Sequence, residues 1–363
     1  MGISIPVGGF ALIGCSIGIL GAWTAMLLWG ITCVIALLQN FIFAELAAMF
    51  PDKPGGIALY AHEGWRRYFS PVGALAAVGY WAGWSFGLAV YGLTIGQLLA
   101  GQFFPSAKWT LFDGAQHIGL AVILGALAVV AVWALNIFGV RPAVRSNKII
   151  GPASAVVTII LCGALFLNMT TATADAGRAL YGISRDGTIV KQLFKLNRHG
   201  MPGRAMTIGL VVNVCLVLFV ANILVILFAS NLGYMIAVAF ALSGFLLLRR
   251  DRPAWPRPIR HGSARVGVAW GLLAFNLVLI VVGALDPGIA GYGGTTDQLI
   301  GLGILAASIL MFLFRRLVQD RVPLQLQEPT PAVPSIVGVV AEPAYVGAGE
   351  VVAFEAPPDV RSE

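Results

Sequence analysis

The sequence predicts an all-α, polytopic integral membrane protein with about nine transmembrane helices. Three observations carry that prediction. Apolar residues make up 58% of the 363 and charged residues only 11%, where an ordinary soluble domain carries about 25% charged residues. Mean hydropathy is +0.87. The apolar residues fall in unbroken runs and do not alternate, which excludes a transmembrane β-barrel. So little polar surface also excludes a disordered chain or a soluble monomer.

The spans follow from the length needed to cross the hydrocarbon core, roughly 20 apolar residues. Candidate spans are about 1–20, 23–50, 71–103, 117–139, 149–177, 205–221, 223–248, 266–285 and 298–314. Only Asn222 separates the sixth and seventh, so a tight hairpin is expected there. The first run begins at Met1 without a basic n-region. No cleavable signal peptide is expected, and the start is expected to be cut, because a first span normally has a polar lead-in.

Charge orders the loops. The chain carries +7 overall, but the tail 322–363 is −5, which leaves +12 on the rest. Basic loops are 51–70, 140–148, 178–204, 249–265 and 315–321. Loops 21–22, 104–116, Asn222 and 286–297 are poor in Lys and Arg. The positive-inside rule places the basic loops in the cytoplasm. It fails once: 140–148 and 178–204 are both basic, yet only 149–177 separates them. Either 149–177 is re-entrant at Gly151 and Pro152, one loop breaks the rule, or an odd number of helices is missing between Lys148 and Pro152.

Residues 1–321 are expected to form the transmembrane domain, with N-terminal spans in 1–148 and C-terminal spans in 149–321. Residues 322–363, with seven prolines and net negative charge, are expected to be a disordered cytoplasmic tail.

Enzyme chemistry finds no support. His62, His117, His199 and His261 lie in loops or at span ends, and no HExxH, GxSxG or paired intramembrane carboxylates occur. Cys15, Cys33, Cys162 and Cys215 sit in apolar runs without CxxC spacing and read as small core residues. No cofactor or metal is expected. Nucleic-acid binding is set aside because the positive charge is used to orient loops.

Polar residues inside spans are expensive and therefore informative. Asn168, Thr171 and Asp175 share a helix face by spacing. They line a solute path, or else the threonine bonds back to its own backbone and Asp175 pairs with Arg178. Ser85, Thr94 and Gln97 lie in the third run with Tyr80, Trp81, Trp84 and Tyr91, as a polar lining or as helix packing. Glu45, at the inner end of the second run, reads as a snorkelling loop anchor. The opening Ser4-Ile5-Pro6-Val7-Gly8-Gly9 breaks a helix, and broken spans can expose backbone to ions or substrate; a frayed end or a packing notch explains it equally.

Several motifs together point further. Ala44-Glu45-Leu46-Ala47-Ala48-Met49-Phe50-Pro51 with Gly55-Gly56 and Tyr60 resembles the second helix end and first cytoplasmic loop of amino-acid permeases of the amino acid–polyamine–organocation (APC) superfamily. Gly177 to Gly187, then Leu196 to Pro202, is similar to that family's eighth helix end and following loop. Ser230-Asn231-Leu232-Gly233-Tyr234 leading to Leu248-Arg249-Arg250 resembles its tenth helix, and Gly139-Val140-Arg141 through Asn147 the approach to its fifth. The resemblance covers most of 1–320.

It implies a twelve-helix fold with a five-plus-five inverted repeat, here incomplete. Most of helix five, with six and seven, would be absent, as would the first half of helix one. In the family the unwound parts of helices one and six hold substrate. Only a remnant of the first is present, near Val7-Gly8-Gly9, and Lys148 lies too early to match the coupling lysine of helix five. The implied function is secondary active transport of amino acids or polyamines across the cytoplasmic membrane, coupled to a proton or a monovalent cation. The substrate-binding candidates are Ser4, Ile5, Val7, Gly8 and Gly9 with Ser85, Asn168 and Thr171. The alternative is a non-transporting structural or partner-dependent remnant in the bilayer.

Overall fold

The computed structural model describes residues 21–51, 53, 55–107, 110, 118–138, 157–220, 223–259, 262, 264–286 and 295–331. They form nine α-helices: α1 Ala22–Met49, α2 Gly56–Trp65, α3 Val72–Phe103, α4 Leu120–Ile137, α5 Val157–Arg185, α6 Gly203–Cys215, α7 Ile223–Asp251, α8 Ala264–Leu285 and α9 Thr295–Phe314. A π-helical turn extends α6 to Val220 and another extends α9 to Gln319. Among the described residues there is no strand, only an isolated bridge between Thr110 and Gly119. Helices satisfy their own backbone groups, which hydrocarbon demands. Seven of them are long and apolar enough to cross a membrane. The chain is thus an all-α polytopic membrane protein. The expected span 1–20 lies outside the described residues.

Two elements differ from the sequence expectation. Residues 56–65, expected as loop, form α2, whose Ala58 to Gly64 are all buried. Gly55 and Gly56 turn the chain into it with φ of 142° and 52°, values that explain why glycine stands there. Helix α5 continues eight residues past Gly177, because Ala179, Leu180, Ile183 and Ser184 are buried in the bundle.

Helix α3 is the hub, packed against α2, α4, α5, α6, α7 and α9. Small residues on several of its faces let backbones approach, the packing that membranes favour. A Cβ on Gly79 would lie 2.4 Å from the Gly233 carbonyl oxygen of α7, and one on Gly96 would lie 1.9 Å from that of Ala121 in α4. Gly64 of α2 meets Gly244 of α7 just as closely, at 2.4 Å.

These contacts fix helix direction. Gly92 faces Gly125 and Gly96 faces Ala121, so α4 runs antiparallel to α3. Tyr80 reaches Asp175, so α5 also runs antiparallel to α3. Helices α4 and α5, consecutive among the described residues, run parallel. Both finish at the same end of the bundle: Asn197 Nδ2 donates to the Ile137 carbonyl at the end of α4 (2.6 Å), and Ser184 Oγ near the end of α5 donates to Val190 (2.7 Å). Loops 51–70, 186–202, 249–259 and 315–328 meet at this basic end. Lys191 pairs with Asp320, Arg66 with Glu328 and Tyr68 with Asp251. A helix of 29 residues is about 43 Å long, so α5 starts at the far end. It is a continuous helix and not a re-entrant one; Gly151 and Pro152 lie outside the described residues.

The compact unit reaches Pro331, beyond the expected boundary at residue 321. Leu326 accepts from the Ser70 amide (2.7 Å), and the Glu328 amide donates to Arg66 (2.7 Å). The remainder of the expected tail, 332–363, lies outside the described residues.

Two measurements test this arrangement. Gly79→Val forces a branched side chain into the Gly233 backbone and should cost about 1–3 kcal/mol, read as a lowered Tm of the detergent-purified protein. Arg67→Cys and Lys195→Cys, each on a background without native cysteines, should be labelled from the same side of the membrane. Labelling from opposite sides would show that α4 and α5 are not parallel in the bilayer.

Candidate functional site

The described helices leave a cavity of about 530 Å³ between α3 and α7. Gly87 leaves open space on α3, where an added Cβ would meet only Tyr91 at 3.9 Å, while Gly83 packs closely on Tyr234, 2.8 Å from an added Cβ. Trp84, Tyr91 and Tyr234 wall it, and Leu227, Ser230 and Asn231 complete the lining. One turn toward the basic end, Tyr80 stacks on Tyr234 (6.2 Å between centroids, 28°) and meets Trp84 edge-on at 6.2 Å. The Tyr80 hydroxyl donates to Asp175 Oδ2 at 2.5 Å. A carboxylate from α5 is thereby held beneath an aromatic cavity, the chemistry that suits an organic ammonium group.

The residues proposed from sequence fall in several places. Ser4, Ile5, Val7, Gly8 and Gly9 lie outside the described residues. Ser85 is buried and accepts a hydrogen bond from Asn213 Nδ2 of α6 at 2.7 Å, while Asn213 Oδ1 accepts from the Ala89 amide. The space beside Ser85 is about 10 Å³, room for one water at most. Asn168 is half-buried, and Thr171 is exposed with its hydroxyl donating to the Leu167 carbonyl at 3.3 Å. Of the face bearing Asn168, Thr171 and Asp175, Asp175 meets Tyr80. Trp84 and Tyr91 wall the cavity, whereas Trp81 packs edge-on against Phe86. Tyr234 was visible only as part of a motif, and its partner Tyr80 is 154 positions away in the sequence.

The basic end closes beneath this site by ion pairing. Glu45 is buried at 1% exposure and takes a bidentate grip from Arg249, with bonds of 3.0 and 2.5 Å. It anchors α1 to α7 as expected, but from within the protein and not by snorkelling to water. Glu63 is deeper still. Its fully buried carboxylate pairs with Lys53 at 2.6 Å, Arg252 at 2.9 Å and Arg66 at 3.4 Å. Arg66 continues to Glu328 at 2.9 Å, which also accepts from Ser70 Oγ at 2.6 Å and pairs with Arg316. Three loops are stitched together by two acids.

Burial works against ionisation of Glu63, but His62, the Lys53 ammonium and Arg252 outweigh it and hold the carboxyl at about 2. Burial, only partly offset by Glu63 and Glu328, pushes His62 below its usual range. The imidazole packs against Gly73, where a Cβ would lie 2.4 Å from Nδ1.

The amino acid permease family matches this chain over residues 1–161 and 151–310. The chain belongs to that amino acid permease family, and it is a multi-pass membrane protein of transporter class. No curated protein matches it. The two matched stretches overlap at 151–161, around the start of α5.

Glu63→Gln leaves Arg252 buried without its counter-ion and should cost about 3–5 kcal/mol, read by thermal unfolding in detergent. The same acid sets a pH window. Its pKa is lowered in the folded state, so its stabilisation is present above the unfolded value near 4.5 and is lost as pH falls toward about 2. The Tm of the native chain should fall across that window more steeply than that of Glu63→Gln.

Proposed function

We propose that this chain is a shortened secondary transporter for amino acids or polyamines. It is set in the cytoplasmic membrane with its basic end inside, and is coupled to a proton or a monovalent cation. The observation that carries this reading is the aromatic cavity above the Tyr80–Asp175 pair, in a chain of the amino acid permease family. A substrate ammonium group gains the faces of Trp84 and Tyr234 and the negative charge of Asp175. An apolar side chain gains the α3 wall. The backbone of Ser4, Ile5, Val7, Gly8 and Gly9 would supply amide groups for a carboxylate. Asn168 and Thr171 stand toward the far end of α5 from Asp175, and Ser85 keeps α3 in register with α6. The inside assignment of the basic end rests on its loops' surplus of Lys and Arg.

A second reading is favoured by the parallel run of α4 and α5. Helix α4 finishes at one end of the bundle and α5 starts at the other. The sequence between them, 139–156, carries Arg141, Arg145, Lys148, Pro142 and Pro152, a poor composition for a crossing helix. This supports the loss of an odd number of helices there, three by the family's architecture, and with them one of the two unwound helices that hold substrate. A chain so shortened would be a non-transporting remnant.

Uptake of labelled amino acids and polyamines into liposomes separates the two. Transport predicts accumulation above empty liposomes and a fall of about 10–100-fold for Asp175→Asn, the loss of a charged contact. No uptake of any substrate would assign the chain to the remnant class.

A further inference from the structure

We propose that a cleft at the basic end, separate from the aromatic cavity, binds an anionic phospholipid. The cleft encloses about 700 Å³ between the end of α4, the segment 191–197 and the first turns of α6. Its walls are apolar: Ile137, Leu193, Leu196, Ile208, Val211 and Val212. Its mouth carries two exposed cations, Lys195 and Arg204. Of the neighbouring cations, Lys191 and Arg315 both pair with Asp320, and Arg198 bonds the adjacent His199. Lys195 and Arg204 have no carboxylate partner among the described residues.

The geometry is that of an amphiphile. Arg204 begins α6, and Val211 lies seven residues on, about 10 Å deeper along the helix. Ile208 and Val211 are 45% and 56% exposed, so the stem of the cleft opens sideways, where acyl chains run. The cations sit at headgroup level with the other charged groups of the basic end. The mouth is also rigid. Asn197 donates to the Ile137 carbonyl (2.6 Å), and its Oδ1 accepts from the amides of His199 and Met201 at 2.9 and 3.0 Å. Lys195 is thereby held two residues from a fixed point. Two cations above an apolar stem fit a phosphate bearing net negative charge on fatty chains. Basic clefts between helices are known to take such headgroups. A free phosphate would leave the stem empty, and a zwitterionic lipid would bring a cation to two cations.

The test uses the full chain in nanodiscs, which offer both leaflets and so make the result independent of orientation and of transport. Phosphatidylglycerol and phosphatidylcholine retained by the protein are counted by native mass spectrometry after a mixed-lipid exchange. The native chain should retain phosphatidylglycerol preferentially. Lys195→Gln with Arg204→Gln should weaken that retention about 25-fold, about fivefold per charge. Val211→Trp, which fills the stem and leaves both cations, should also abolish it and covers the case where the double variant does not fold. Arg67→Gln, an exposed cation elsewhere at the basic end, should leave it unchanged. Equal retention of the two lipids, full retention by a folded double variant or by Val211→Trp, or displacement of the lipid by glycerol 3-phosphate alone would overturn the proposal.

Discussion

Everything in this bundle leans on how closely other backbones can approach α3. Hydrocarbon gives helices no hydrophobic reason to associate, so contact must come from packing. Gly79, Gly92 and Gly96 present bare backbone to α7 and α4, and they face Gly233, Gly125 with Val129, and Ala121. Such contacts have no slack. They set the distance, direction and register of each neighbour at once. At the aromatic cavity the pattern changes, because Gly83 packs on Tyr234 of α7 while Gly87 faces the open space.

The second organising force is charge, and it acts only at one end. Glu45, Glu63 and Glu328 together take Arg249, Lys53, Arg66, Arg252 and Arg316. A buried pair gains little against a well-packed apolar alternative, but removing one partner is severe. The pairs therefore serve to specify which loops meet. They join α1 to α7, α2 to the end of α7, and the 321–331 segment to the start of α3. A gate at this end would have to exchange these pairs for water.

The parallel run of α4 and α5 bears on the loop charges. Counting apolar runs alone forces one basic loop to the far side. The structure brings the end of α4 and the loop 186–202 to the same basic end, because α4 and α5 each pack antiparallel to α3.

The sequence by itself determined the class and most of the helices, because an apolar run of the right length is a local property that hydrocarbon enforces. It also carried the family, through motifs at the ends of helices, and the role of Glu45 as an anchor, though not its burial. It left the site largely illegible. Asp175 was visible as a polar residue in a span, but spacing grouped it with Asn168 and Thr171, and its partner Tyr80 is 95 positions away on another helix. Ser85 looked available until α6 brought Asn213 against it. Glu63 gave no signal within a polar loop, since its burial depends on Arg252, 189 positions on. Only the tertiary structure decided these pairings, because helix direction and close backbone approach choose which faces meet, and neither is written in the periodicity of a single span.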